Sequence, residues 1–299
     1  MRVPRWSAAL LVAISMSCAA VLGIEDPVVE HSIATDGGGD GDPRGETGPA
    51  LDGARESSAD GGLDADANTK DDAGCPLGRG PSMIAHLSIS PGDPARKAFC
   101  IDRTEVTSAQ WSAFKDEAVA PASQTADCAW NTSFAVGSAT RDAYPVVRVN
   151  WCDAKAFCRW AGKRLCGAIA GGPTPPGGAG DPNVAQWAYA CSNRGTTTYP
   201  YGNGFQAGAC NIAGDAGGVI PAGSLSTCST TRGVLDQVGN VWEWVDHRIP
   251  QDAGPTGDTA AFLGGESGSP STYDCATGSG GGITLRDPLV GFRCCADLF

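Results

Sequence analysis

The alternation of apolar and polar positions is weak along most of the chain and predicts only a few short elements. Residues 99–106 alternate as in a strand, and the apolar run 145–149 predicts a second one. Thr107 or Ser108 caps a predicted helix over 107–118, and an apolar stripe predicts another helix over 153–161. The remaining sequence is rich in Gly, Pro, Ser and Thr, so aromatic packing, disulfides and ions have to hold the fold together.

The first residues form a pattern typical of an export signal. Arg2 and Arg5 precede an apolar run, 8–14, that is too short to span a bilayer, which takes about 20 residues. Cys18 follows this run as in a bacterial lipobox, although Ser15 stands where a lipobox usually has Leu. We predict a signal peptide over 1–17 and a lipoprotein N-terminus over 18–29 with Cys18 lipidated. An ordinary signal peptide that is cut elsewhere is the alternative.

Residues 30–74 differ in composition from the rest. They contain twelve acidic and three basic residues, and so carry −9 of the chain's net charge of −12. No aromatic residue lies between Trp6 and Phe99. Such a segment cannot bury enough apolar surface to order itself, so we predict a disordered tether that holds a domain off a membrane. A calcium-binding acidic repeat is the alternative, but the acid spacing fits no known loop.

Residues 75–299 form the predicted folded domain. They carry a net charge of only −3 and hold seven of the eight Trp and twelve of the thirteen Cys. The acidic balance of the chain argues against a nucleic-acid binder, and three histidines exclude most multi-His metalloenzymes. Many cysteines in an exported chain indicate disulfides, and no Cys-x-x-Cys spacing supports a zinc or copper cluster.

Several motifs follow one another in this domain in a characteristic order. They are Asp102-Arg-Thr-Glu105-Val-Thr107, Tyr144-Pro-Val-Val-Arg-Val-Asn-Trp151-Cys-Asp153, Phe157-Cys-Arg-Trp160-Ala-Gly-Lys-Arg164, Trp187-Ala-Tyr189-Ala-Cys191, Tyr199-Pro-Tyr201-Gly-Asn203, Val238-Gly-Asn240-Val-Trp-Glu-Trp244, Leu263-Gly-Gly265 and Gly291-Phe-Arg-Cys294. This series resembles the formylglycine-generating enzyme family, also called the sulfatase-modifying factor domain. The resemblance implies an α/β (α+β) domain with little regular structure, related to C-type lectins.

The segment 236–243 is the first candidate cation site. Asp236 and Glu243 are carboxylates, and the carbonyls of Gly239 and Val241 lie between them; such hard oxygen ligands suit Ca²⁺. The matching positions bind calcium in the resembled family. The alternative is a strand with buried tryptophan and a structural Glu243. A second family calcium site begins at an Asn-Ile pair, which Asn211 and Ile212 match here.

The family's oxidases hold Cu(I) with a Cys-x4-Cys pair after Gly-Gly-Ser, and oxidise a substrate cysteine to formylglycine. In this chain Ser269 and Asp274 fall on the two copper positions, and neither is a soft ligand. Cys275 is the only cysteine between Cys228 and Cys294. We therefore expect calcium as a structural ion and do not expect copper.

The resemblance also implies disulfides. It pairs Cys158 with Cys294 and Cys191 with the cysteine after the active-site loop, Cys275. Cys210 and Cys228 flank the first cation region, where they can form a clip. Six cysteines stay unassigned: Cys75, Cys100, Cys128, Cys152, Cys166 and Cys295. The vicinal pair Cys294-Cys295 is interpreted as the ends of two different bridges.

Two hypotheses on function remain. In the first, this is an envelope lipoprotein, anchored in the membrane by lipid in the periplasm or at the cell surface. Its non-catalytic domain binds a protein, peptide or glycan, with Arg286 and Arg293 available to an acidic ligand. In the second, it is a sulfatase-modifying oxidase or another metal-dependent oxidase. His247 beside Arg248 is interpreted as a surface or rim histidine.

Overall fold

The computed structural model describes residues 69–86, 97–135, 141–252 and 254–298. The predicted signal peptide, Cys18 and residues 30–68 lie outside these ranges. The described helices are α1 (Ser108–Asp116), α2 (Trp151–Trp160) and α3 (Gln186–Cys191). The described strands are β1 (Met83–His86), β2 (Phe99–Asp102), β3 (Arg164–Leu165), β4 (Trp242–Ile249), β5 (Thr259–Leu263), β6 (Gly278–Gly282), β7 (Val290–Phe292) and β8 (Cys294–Asp297).

The strands form two four-stranded sheets. The first has the order β1-β2-β8-β3 and is antiparallel throughout. The second has the order β6-β5-β4-β7, with β7 parallel to β4 and opposite its first residues, so that Glu243 is paired with Gly291. Because β7 and β8 are separated by Arg293 alone, this residue lies where the two sheets meet.

Both predicted helices exist, and both begin at a capping box. Thr107 accepts a hydrogen bond from Gln110 N, and the Gln110 side chain accepts one from Thr107 N. Asn150 and Asp153 exchange the same two bonds at the start of α2, which therefore begins two residues before the predicted 153. Each capping box satisfies backbone N–H groups that the first helical turn leaves free.

The core consists of two large apolar clusters. The first contains the aromatic rings of Trp111, Phe114, Phe157 and Phe292, whose centroids lie 4.9–6.3 Å apart in the contacting pairs. The second surrounds Trp187 on α3. Large rings bury much apolar area per residue, which offsets the small amount of regular structure.

All twelve cysteines of the described ranges form disulfides. The two pairs that the resemblance implies are present, as is the clip: Cys158–Cys294, Cys191–Cys275 and Cys210–Cys228. The unassigned cysteines pair as Cys75–Cys100, Cys128–Cys152 and Cys166–Cys295. Six disulfides are consistent with an extracellular or exported protein, and each bridge typically contributes about 2–4 kcal/mol.

Three expectations from the sequence are wrong in detail. The run 145–149 forms no strand, only an isolated bridge from Pro145 to Thr107, because Arg148 has a positive φ of 61°. The strand predicted over 99–106 ends at Asp102. Residues 69–74, assigned to the tether, form turns in which Asp71 accepts from the N–H of Cys75. No helix in the described ranges is long and apolar enough to cross a membrane.

Candidate functional site

The loop between β5 and β6 contains the two positions onto which the copper ligands map. Ser269 is buried; its Oγ accepts a hydrogen bond from Glu266 N at 2.9 Å and donates to Glu266 Oε1 at 3.4 Å. Asp274 Oδ1 accepts from Ala276 N and Thr277 Oγ1, both at 2.9 Å. These polar groups therefore bond within their own loop.

The cysteine of this loop, Cys275, is in a disulfide. Cys275, directly after Asp274, is bonded to Cys191 at the end of α3. A disulfide sulfur is not an anionic ligand, whereas Cu(I) requires thiolates. No described cysteine is left to form a soft metal site.

The start of this loop packs tightly on the segment 236–243. Gly264 has a φ of +93°, and a Cβ there would lie 2.4 Å from the carbonyl oxygen of Gln237. Its carbonyl accepts from Gly239 N at 2.9 Å. Glycine is therefore required at 264, both for its backbone conformation and for the close approach of two chain segments.

Glu243 forms a buried ion pair with Arg293. Arg293 Nε and Nη2 each lie 2.6 Å from a Glu243 carboxylate oxygen, and both residues are at most 1% exposed. Trp187 Nε1 donates a third hydrogen bond to Glu243 at 2.7 Å. The remaining Arg293 donors reach backbone carbonyls of residues 102, 103 and 235. Arg293 is thus unavailable to a ligand, contrary to the sequence expectation.

Glu105 and Asp236 add two buried carboxylates beside this ion pair. Leu235 N donates to Arg103 O at 2.8 Å, which brings the segments that carry these acids together. Burial raises the pKa of Glu105 well above its usual value, and the neighbouring Asp236 raises it further. Burial likewise raises the pKa of Asp236 to about 6. We call Glu105, Asp236, Glu243 and Arg293 the buried charge cluster; its formal charge is −2.

Several oxygens around this cluster lack a hydrogen-bond donor in the described structure. They are Glu105 Oε2, Asn211 Oδ1 and Gln237 Oε1. Glu105 Oε1 accepts from Asn240, whose own Oδ1 accepts from the Asn211 amide at 3.0 Å. Buried acceptors without donors are costly, so a cation among these oxygens would relieve them.

The turn Val238–Val241 places backbone as well as side chains at the cluster. Gly239 has a φ of +81°, and a Cβ there would lie 2.2 Å from Asn211 O. Asn240 N donates to that same oxygen at 2.7 Å. The two segments that the sequence assigned to separate calcium sites, 211–212 and 236–243, are therefore in direct contact.

These residues suit calcium through oxygen donors of mixed type. No three His, Cys, Asp or Glu side chains of the described ranges form a metal site by themselves. Calcium, however, accepts carbonyl and amide oxygens beside carboxylates. Since Glu243 is already bonded to Arg293, Asp236 and Glu105 supply most of the available negative charge. Asp215, the acid nearest to Asn211-Ile212 in sequence, accepts from Gly208 N instead.

The structure corrects two further interpretations of the sequence, those of His247 and Arg286. His247 is buried rather than a rim residue, and its Nδ1 lies 2.9 Å from Thr174 Oγ1. Arg286 bonds to Asp153 at 2.8 Å, and so offers little to an acidic ligand. Glu105 belongs to the motif Asp102-Arg-Thr-Glu105-Val-Thr107, which predicts no role for it. It lies three residues after the end of β2, between Thr104 and Val106, and these neighbours carry no signal that its side chain is completely buried.

Together these features define a disulfide-rich, mixed α/β domain with a buried charge cluster and no free thiol among its described cysteines. Residues 89–298 match the sulfatase-modifying factor enzyme 1-like domain. The chain therefore belongs to the family of the formylglycine-generating enzymes, and its fold is that of the family.

Individual relatives include both enzymes and an inactive member. The mouse formylglycine-generating enzyme is 30% identical over 187 residues, which cover 52% of this chain and 45% of the mouse protein. The bovine inactive C-alpha-formylglycine-generating enzyme 2 is 33% identical over 130 residues, or 38% of this chain and 37% of that protein. A hercynine oxygenase of Mycolicibacterium thermoresistibile is 29% identical over 175 residues, covering 49% and 35%. These matches span less than half of each relative.

Proposed function

We propose that this chain is an exported, lipid-anchored envelope protein whose domain binds a protein, peptide or glycan and does not make formylglycine. One observation carries the proposal: both copper positions hold oxygen side chains that bond within their loop, and the adjacent cysteine is in a disulfide. The similarity to an inactive relative supports the same interpretation.

The oxidase test uses a peptide with a sulfatase-type Cys-x-Pro-x-Arg motif. The purified protein, with its disulfides intact and pre-incubated with Cu(I), is mixed with this peptide under oxygen. Mass spectrometry should show an unchanged peptide cysteine. Conversion of the cysteine to an aldehyde over several turnovers would overturn the proposal and favour the oxidase alternative. The similarity to hercynine oxygenase supports that same alternative.

A binding role is supported by aromatic side chains beside the same loop. Phe205 is 41% exposed and contacts Tyr199, which stacks on Tyr201 at 5.4 Å. Tyr199 Oη donates to Ser271 O at 3.0 Å and so connects these rings to the loop. Exposed aromatic rings are common contact residues for ligands. Phe205→Ala should therefore reduce binding on a glycan and peptide array, whereas the equally exposed Ile249→Ala should not.

Calcium has a structural role in this proposal. Asp236, the carbonyls of Gly239 and Val241, and Glu243 would hold one ion with help from Glu105, while Asn211 and Ile212 would contribute where the two segments meet. The ion would supply the positive charge that the buried charge cluster lacks. It takes part in no chemical step, and we assign no role to copper.

Lipid anchoring rests on the N-terminal sequence alone. Cys18→Ser should move the protein from the membrane to the soluble fraction, because the acylated thiol would be lost. The measurement is fractionation of cells that express the full chain. Unchanged membrane association of Cys18→Ser would contradict the anchor but leave the binding role open.

A further inference from the structure

A half-enclosed cavity lies beside α2. It has a volume of about 390 Å³ and is bounded by α2, by β3 and by the loop 119–128. This size is within the range of small-molecule sites, roughly 300–1,000 Å³. The cavity shares no residue with the buried charge cluster or with the loop 264–275.

The floor of the cavity is apolar. The Cys128–Cys152 disulfide, Ala156 and Leu165 are buried there, and Trp160 and Val119 are half-buried at the sides. An apolar surface of this kind binds the hydrocarbon or ring portion of a ligand.

Its walls are strongly cationic. Five lysines and arginines line the cavity, against the single acid Asp246. Four of the five have a carboxylate partner: Arg79 pairs with Glu117, Lys155 with Asp127, Lys163 with Asp102 and Arg164 with Asp297.

Arg159 is the exception. Its only hydrogen bond in the described structure runs from Nη1 to Ser123 O at 3.1 Å, and no described carboxylate lies within 4.0 Å of it. A guanidinium has five N–H donors in a planar fork, so most of those on Arg159 remain open to a ligand. Asp246, the one acid of the lining, is held near Lys155 at 3.9 Å and does not reach Arg159 within salt-bridge distance.

We infer that this cavity binds a small organic anion, with an apolar body on the floor and one acidic group on the Arg159 guanidinium. A carboxylate, sulfonate or phosphate satisfies the open fork, because each offers two oxygens to parallel N–H donors. The site depends neither on calcium nor on the formylglycine question, so it stands or falls separately from the proposed function.

The test compares three probes on the purified full-length protein: 8-anilinonaphthalene-1-sulfonate, its uncharged analogue N-phenyl-1-naphthylamine, and inorganic sulfate. The sulfonate probe should bind saturably at one site, as followed by fluorescence. Arg159→Gln should weaken its affinity about tenfold, since bonds between charged groups are the stronger ones, and should leave the neutral probe unchanged. Arg141→Gln, outside the cavity, is the matched control and should change neither.

Two further measurements test whether the apolar floor of the cavity takes part in binding. Filling the floor with Ala156→Phe, or with Val119→Trp if the first variant does not fold, should weaken both aromatic probes. Sulfate should displace the sulfonate probe poorly; complete displacement would indicate a simple ion site and overturn the role of the apolar floor. Unsaturable binding, or an equal effect of Arg159→Gln and Arg141→Gln, would overturn the inference as a whole.

Discussion

The loop 264–275 and the buried charge cluster lie against each other and differ in how their polar groups are satisfied. In the loop, the side chains of Ser269 and Asp274 form hydrogen bonds with their immediate neighbours. In the cluster, three carboxylates share one arginine, and Glu105 Oε2 has no donor in the described structure. The side chains of the loop satisfy one another, whereas the buried charge cluster holds more negative than positive charge.

This difference indicates where a ligand is needed. A loop whose donors and acceptors are matched gains little from a metal ion, whereas a buried acceptor without a donor loses its hydration and gains nothing in return. The family's redox metal maps onto the first region and its calcium onto the second. We therefore propose that this chain retains the structural ion and not the catalytic one.

Removal of the one positive charge from the cluster should have the largest effect. Arg293→Met would leave Glu243, Glu105 and Asp236 buried without a base, and breaking a buried ion pair on one side costs about 3–5 kcal/mol. Urea unfolding at pH 7 measures the loss. Arg79→Met is the control: it also removes an arginine from a carboxylate, but the side chains of Arg79 and its partner Glu117 are 29% and 44% exposed. Its cost should be about 1 kcal/mol. Equal losses would mean that the cluster is not especially charge-poor.

Bound calcium should offset part of the free energy that burial of the acids in the cluster costs. Asp236→Asn and Glu105→Gln should each lower the melting temperature in calcium but much less in chelator. The reason is that an ion bound only to the native state adds RT ln(1 + [L]/Kd), about 2.7 kcal/mol at a hundredfold excess over Kd.

Asp274→Asn is the matched control for calcium, because it alters a carboxylate in the self-bonded loop. Its melting temperature should respond to calcium as the wild type does. If these two cluster variants lose as much stability in chelator as in calcium, the site does not bind this ion.

His86 provides a third kind of buried polar group, one that is uncharged. Both ring nitrogens lack a partner in the described structure, and the ring stacks on Phe99 at 4.9 Å. Burial first, and then the charges of Arg232 and Arg194, lower its pKa from 6.5 to about 3. The folded state thus keeps His86 neutral while the unfolded chain takes up a proton below pH 6.5.

Stability from this group is therefore complete above pH 6.5 and is lost as the pH falls toward 3, at up to about 1.4 kcal/mol per pH unit. His86→Phe retains the stacking and removes the titration, so its unfolding free energy should fall less steeply between pH 6.5 and 4. Parallel pH profiles for the wild type and His86→Phe would refute this. The comparison is made by urea unfolding at fixed ionic strength.

The sequence was informative wherever local chemistry decides the outcome. A capping residue for the first helix and an apolar stripe for the second placed both helices within two residues of their true starts. The adjacency of Cys294 and Cys295 indicated two different bridges, and in β8 these successive residues do face opposite sides. It was uninformative wherever distant segments meet. Nothing local distinguishes Arg293 as a buried ion-pair partner of Glu243, 50 residues away, from a surface arginine. The burial of Glu105 and His86 depends on tertiary contacts in the same way.

The smallest effect is expected in the self-bonded loop, and it is the sharpest contrast to the cluster. Ser269→Ala removes a side-chain acceptor of the Glu266 N–H, and Asp274→Ala removes the cap on Ala276 and Thr277. Each loss should cost about 1 kcal/mol, the usual net value of one or two hydrogen bonds, and the effect should be the same in calcium and in chelator.

Neither variant should change Cu(I) binding measured by competition with a chromophoric chelator, because a hydroxyl and a carboxylate are hard donors. A loss of stoichiometric Cu(I) in Asp274→Ala would show instead that this loop holds the metal through ligands of a different kind.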